Sequence, residues 1–392
     1  MSVLARGIIV TAAAGTLCLS AVAGADMASP VVVEQAPAVR TIDPAAGSLN
    51  DGPHVYWTTS SHAIVFYLCN GSIKWEQYKI KGAGSFSGFC ADSSTEYVIS
   101  ARDPKVEPDT YKNVSKMFAI SDLEGQYDEV VDLLQAAGII DQELNWSWGD
   151  GHLVIVGDTF DRGDKVTETL WLFHSLEQQA RKSKGRVHVM LGNHEMMVLH
   201  NDLRYVDSTY TEGIVKAWGI SYPDLFGPDM ELGRWLRSKH TVIKLNDVLF
   251  VHGGMPPKVA ARDVSLKAIN QFTRETIDSR SYERVFIEEL RRHYDHTDES
   301  MFWYRGYHKA QAGKYPKVTP EQLDAILDTY DVSTIVVGHT GVDRIESLYE
   351  GRVIGIDVPL EDLGSFQGLL WEDGQLFRVL GDGTRESLAG EG

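Results

Sequence analysis

The chain has 392 residues, 43% of them apolar, and a formal net charge of -18 at pH 7. That is core material for one large or two modest folded units. The acidic surplus excludes nucleic acid as the main partner, since no basic excess exists to neutralise a phosphate backbone. It leaves room for a locally positive phosphate site.

Met1–Arg6 carries one basic residue, and Gly7–Ala25 is apolar and rich in small residues. Its end, Ala23-Gly24-Ala25, is an A-x-A triplet, with Ala21-Val22-Ala23 a second one upstream. The pattern predicts a signal peptide over 1–25 and a periplasmic or secreted protein. Left uncleaved, the segment would be a membrane anchor. Cys18 lies inside it, but Gly15-Thr16-Leu17 lacks the small residue expected just before a lipidated cysteine. No later stretch offers 18 consecutive apolar residues, so no membrane contact is expected after cleavage. Cys69 and Cys90 remain, either as a disulfide or as buried thiols.

Residues 26–50 lack periodicity and read as an extended tether. HVYWTT, AIVFYL, SIKWEQYKI and STEYVIS then predict a small β domain over 51–105, its aromatic residues forming a core or a recognition surface. ARDPKVEPD is a polar linker, and a larger unit follows over 111–380. Helices are predicted over Asp128–Ala137, Lys165–Arg181, Met196–Leu203, Ser265–Arg274, Tyr282–Tyr294 and Glu321–Thr329. An aromatic insert over 204–235, with Tyr205, Tyr210, Trp218, Tyr222 and Phe226, is expected to cover the sheet or to cap the site and read a substrate, two roles that are compatible. A hairpin turn is expected at Asn246-Asp247. RVIGID, QGLLW and QLFRVL read as a closing sheet.

Three apolar runs end in polar turns. FAISDLEGQY places Asp122 and Glu124 past a strand, HLVIVGDTFDRGD places Asp158, Asp161 and Arg162, and VHVMLGNHE places Asn193, His194 and Glu195. Strand, loop and helix in repetition predict an α/β fold with parallel strands, and ligands bind at the carboxyl ends of such strands. Acidic groups this dense repel one another unless a cation neutralises them. Carboxylate, amide and imidazole together suit first-row divalent metals, and the count of donors suits two of them.

SDLEG, GDTFDRG, GNHE, VHGG, WYRG and VGHT occur in the order found in calcineurin-like metallophosphoesterases. The chain resembles that superfamily over roughly 115–360, in its phosphoprotein phosphatase branch and especially the bacterial Shewanella-like phosphatases. The resemblance implies a β-sandwich core flanked by helices, with the small β domain at its N-terminus. It implies metal ligands Asp122, Glu124 and bridging Asp158 at one site, and Asp158, Asn193, His252 and His339 at the other. Glu124 departs from the pattern, which has His there. It either ligates as a carboxylate, favouring Mn2+, Mg2+ or Ca2+, or its longer chain misses the ion.

The implied reaction is direct attack of metal-held water on a phosphomonoester. Mn2+ is the expected ion, with Fe, Zn2+, Mg2+ and Ca2+ as alternatives. Arg162 and Arg305 would clamp phosphate oxygens, and His194, oriented by Asp161, would protonate the leaving group. The implied substrate is phosphoserine, phosphothreonine or phosphotyrosine in protein or peptide. One rival keeps the chemistry but takes nucleotide or other small phosphoesters, diesters included. Another is a phospho-ligand binder without turnover. Serine-hydrolase, HExxH and P-loop signatures are absent.

Overall fold

The computed structural model describes residues 50–88, 90, 95–214, 219–279, 292–295, 297–308, 315–359 and 366–388. The expected signal peptide, all of the tether but Asn50, Trp218 and most of the helix expected over 282–294 lie outside them. β1 (Asp51–Thr59), β2 (His62–Cys69) and β3 (Ser72–Lys79) form an antiparallel sheet, and β4 (Ala83–Ser87) and β5 (Glu96–Ser100) a hairpin. A disulfide joins Cys69 at the end of β2 to Cys90, with Cα atoms 5.6 Å apart.

The larger unit contains β6 (Thr110–Tyr111), β7 (Lys116–Ile120), α1 (Tyr127–Ala136), β8 (His152–Ile155), α2 (Val166–Lys182), β9 (Arg186–Val189) and α3 (Asn193–Leu199). α4 (Glu231–Leu236) ends the insert, and β10 (Val242–Leu245), β11 (Val248–Val251), α5 (Leu266–Thr276), α6 (Pro320–Tyr330) and β12 (Thr334–Val337) come after it. β13 (Glu346–Leu348), β14 (Val353–Gly355), β15 (Gln367–Glu372), β16 (Gln375–Leu380) and β17 (Arg385–Ser387) close the fold. One six-stranded sheet has the order β17-β16-β15-β7-β8-β9, and a second the order β13-β14-β12-β11-β10-β6. The runs β7, β8 and β9 pair in parallel, as the repeating pattern requires. β10 and β11 pair as a hairpin around Asn246, which takes a left-handed φ of 54°.

The two sheets stack into a sandwich. Met117, Ala119, Val154 and Val156 from the first meet Ile243, Leu245, Phe250, Val336 and Ile354 from the second in one apolar cluster. The alternate residues of the same strands, Phe118, Ile120, Leu153 and Ile155, join Val130, Leu133, Leu170 and Phe173 of the covering helices. Burial on both faces is why these strands read as continuous apolar runs rather than as alternation. Each fully buried Val, Leu, Ile, Phe or Met among them contributes about 1.5–3 kcal/mol.

The N-terminal sheet packs on the helical layer. Trp57 Nε1 donates to Glu231 Oε2 at 2.6 Å, and Trp171 Nε1 donates to the Pro53 carbonyl at 2.7 Å. Val55, Trp57, Val65 and Phe66 share one continuous core with α2 and α4. Most aromatic residues of this region are therefore core, while Ile73 and Trp75 on β3 stay exposed. Among the described residues no helix is long and apolar enough to cross a membrane.

A histidine pair between β8 and β9 ties stability to pH. His152 Nδ1 and His188 Nε2 lie 3.0 Å apart, against the edge of Tyr111. Burial, aided by Arg186, pushes His152 down to about 4, and burial likewise holds His188 well below the usual imidazole range. An unfolded chain takes these protons near about pH 6.5. Their stabilising contribution is thus complete above about pH 6.5 and is lost as pH falls toward about 4, because only the unfolded state gains protons there. The melting temperature should fall between about pH 7 and about pH 5, and less steeply for His152→Asn. Equal slopes for the two proteins in scanning calorimetry would contradict this assignment.

Candidate metal centre and active site

The carboxyl ends of β7, β8, β11 and β12 and the start of α3 converge on one point. Six residues there take left-handed φ values: Asp122 at 55°, Glu124 at 48°, Asp158 at 56°, Asp161 at 75°, Arg162 at 57° and His339 at 63°. Such conformations cost free energy in non-glycine residues, and they concentrate at sites where a side chain must be aimed. The turns are also tightly packed. A Cβ on Gly192 would fall 2.1 Å from Asp158 Oδ1, and one on Gly157 would fall 2.7 Å from the Gly192 Cα. Only glycine lets the β8 and β9 turns approach this closely.

Helix α3 begins at Asn193, earlier than the expected Met196 start, so Asn193 and His194 occupy its first turn. The reason is Glu195. Its carboxylate accepts backbone N–H groups from Gly192 at 2.6 Å, Thr159 at 2.7 Å and Asp158 at 3.0 Å. It closes the helix start and pins the β8 turn with the same two oxygens, the bracing role its position suggests. Burial, then the nearby Asp158, raises it to about 7.

Asp158, His252 and His339 are buried, and one ligand atom from each lies within 4.8 Å of the others. Asp158 Oδ2 is 3.0 Å from His252 Nε2. The Asn193 Oδ1 lies 2.8 Å from His252 Nε2, 2.7 Å from His339 Nδ1 and 3.3 Å from Asp158 Oδ2. Turning that amide would put its NH2 there as a donor. The oxygen orientation instead aims four potential electron-pair donors at one point, which is the arrangement a cation requires. His252 Nδ1 donates to the Val156 carbonyl at 2.8 Å, leaving Nε2 as the ring nitrogen facing the cluster. That fixed tautomer is the usual support of a ligating histidine. Two imidazoles, a carboxylate and an amide suit first-row divalent ions. The residues present therefore fit a metal.

The electrostatics agree. Burial raises Asp122, His252 opposes that rise, and Asp158 adds to it. Burial also disfavours the charge on Asp158, but His252 and His194 together hold its carboxyl below the usual range. Burial works against a charged His252, yet Asp158 and Asp122 lift it to about 10.

Asp122 is tied in through Oδ2, which accepts from the His339 N–H at 2.9 Å and Ser121 Oγ at 2.6 Å. Glu124 turns elsewhere and pairs with the Arg162 guanidinium. His194 Nδ1 lies 2.5 Å from Asp161 Oδ2, and its backbone N–H donates to Asp158 Oδ1 at 2.9 Å. Burial alone would lower His194, but Asp158 and Asp161 raise it above the ordinary imidazole range. Arg305 donates to the His339 carbonyl at 2.6 Å. Asp357, two residues past β14, is a further buried carboxyl, pushed well up by burial and then by Asp122. Its signal in the sequence is that RVIGID ends in an acid, as the other strand runs do.

A family model described as calcineurin-like phosphoesterase matches residues 115–343. The chain belongs to that family. Calcineurin-like phosphoesterases are metal-dependent, and the Asp158, His252 and His339 cluster falls within the matched span. The crystal structure of a cold-active protein-tyrosine phosphatase from a psychrophilic Shewanella species is similar, with 36% identity and a TM-score of 0.78. That similarity covers 87% of this chain and 99% of the other. A second structure of a cold-active protein tyrosine phosphatase gives 37% identity and a TM-score of 0.79, covering 87% and 97%. Shewanella-like protein phosphatase 2 of Arabidopsis thaliana is 25% identical over 70% of this chain and 80% of its own length. The phosphoesterase fold is therefore the sandwich described above, with a small N-terminal sheet added.

Proposed function

We propose that this phosphoesterase is a two-metal phosphomonoesterase acting on phosphorylated protein or peptide, with phosphotyrosine among its substrates. The observation that carries the reading is the convergence of Asp158, Asn193, His252 and His339 beside the His194–Asp161 pair. The relatives named for protein and tyrosine phosphatase activity support the substrate class. Asp158, Asn193, His252 and His339 would hold one ion, expected to be Mn2+. Asp122, Asp158 and Glu124 would hold the second, with Glu124 leaving Arg162 to do so. Bound divalent ions supply Lewis acidity, lowering the pKa of water and neutralising phosphoryl charge.

The chain's own residues do the rest. Arg162, about half exposed and freed from Glu124, presents its guanidinium fork to phosphate oxygens, and Arg305, bonded to the His339 carbonyl, would add a second. Asp161 holds Nδ1 of His194 and keeps the ring charged, so the Nε2–H can pass to the departing oxygen. A pure phospho-ligand binder has no use for that acid. The Cys69–Cys90 disulfide supports a periplasmic or secreted setting.

Three substrates tested in parallel on metal-loaded protein check the reading: a phosphotyrosine peptide, a phosphothreonine peptide and adenosine monophosphate. At least one peptide should exceed the nucleotide in kcat/KM by about tenfold or more, roughly 1.4 kcal/mol of discrimination. The opposite order would overturn the protein-phosphatase reading in favour of small phosphoesters.

A further inference from the structure

The insert after α3 carries one aromatic ring to the rim of the site. Tyr210 and Tyr222 of the same insert are buried, whereas Tyr205 keeps 44% of its surface open. Its ring centroid lies 5.4 Å from that of His194, tilted by 48°. Its carbonyl accepts the Arg162 N–H at 2.9 Å, which anchors it to the GDTFDRG turn. The guanidinium carbons of Arg162 and Arg204 lie 5.6 and 5.7 Å from the ring centre. Arg204 is itself held by both oxygens of Asp202, through Nε at 2.8 and 3.1 Å and Nη2 at 2.8 Å. A large ring is thus fixed in place at the surface, bordered by cations, outside the apolar core.

The position has a chemical meaning that rests on the phosphomonoesterase reading above. His194 is the group placed to protonate the departing oxygen. The carbon skeleton attached to that oxygen therefore leaves on the His194 side, where Tyr205 stands. We propose that Tyr205 is a specificity-determining residue for the leaving group, favouring aryl phosphomonoesters, as in phosphotyrosine peptides, over alkyl ones. A phenyl leaving group meets the ring edge-to-face or offset, and a serine or threonine side chain has no ring to offer. Contacts between aromatic rings are worth about twofold to about tenfold in binding. The benefit falls on KM more than on kcat, because the contact exists before the bond breaks.

The test compares wild type, Tyr205→Ala and Tyr205→Phe on phosphotyrosine and phosphothreonine peptides of the same flanking sequence, with metal content measured for each. Tyr205→Ala should lower the phosphotyrosine-to-phosphothreonine ratio of kcat/KM by about twofold to tenfold, mainly through a raised KM for phosphotyrosine. Tyr205→Phe keeps the ring and should keep the wild-type ratio. An equal loss on both peptides would show that Tyr205 merely supports His194 and would overturn the inference alone. A ratio lost equally in the Phe variant would overturn ring contact as the cause. Absence of wild-type turnover on both peptides would overturn the phosphatase reading itself, and this inference with it.

Discussion

His194→Ala is expected to lower kcat on a phosphothreonine peptide by about 10²-fold or more while metal content stays at the wild-type level. The two halves of that expectation come from different atoms. The imidazole reaches Asp161 at 2.5 Å, and its removal takes away the proton donor. The hydrogen bond to the Asp158 carboxylate is made by the backbone N–H of His194, at 2.9 Å from Oδ1, and alanine retains it, while the imidazole Nε2 stands 3.6 Å from Oδ2, outside hydrogen-bond distance. The imidazole does not belong to the Asp158, His252 and His339 cluster. The loss should be smaller on phosphotyrosine, because a phenol, with a pKa of about 10, leaves more easily unprotonated than an alcohol does. Stopped assays on both peptides, with elemental analysis of the same samples, check this. Unchanged turnover would sink the general-acid role.

Asp158→Asn is expected to have the larger effect, abolishing detectable turnover along with stable metal binding. Asp158 is fully buried, and its two oxygens serve different partners. Oδ1 accepts from His194 N–H, while Oδ2 faces His252 Nε2 at 3.0 Å and the Asn193 amide oxygen at 3.3 Å. Asparagine fills the same volume but removes the one negative charge that the cluster directs at the cation. Outer partners of metal ligands already account for about 10–100-fold in affinity. Loss of a carboxylate that itself belongs to the cluster should cost more than that. The fold should survive, since the sandwich core of Val154, Val156, Phe250 and Val336 is untouched.

The parallel pairing of β7, β8 and β9 was legible because each run is apolar, four or five residues long, and followed by a helical stretch. The turns that meet at the candidate site were legible because acids, amide and imidazoles stand at the ends of the apolar runs. The start of α3 was misplaced because the capping acid, Glu195, also serves a distant turn, and periodicity does not show a long-range bond. The Glu124–Arg162 pairing was hidden for a related reason. Both residues sit in left-handed turns 38 positions apart, and only the packed turns bring them together. Asp357 was missed because VPL follows it instead of a glycine-rich turn. Tyr205 stood among other aromatic residues of the insert, and composition does not tell a rim ring from the buried Tyr210 and Tyr222.

Phosphoester hydrolysis is expected to depend on a divalent metal centre at the buried cluster. Elemental analysis of wild type and Asp158→Asn after identical reconstitution, paired with turnover of the phosphotyrosine peptide, tests it most directly. Two equivalents of divalent metal and turnover in the wild type, with both lost in the variant, is the predicted result. Equal metal content and equal turnover in the two proteins would contradict it.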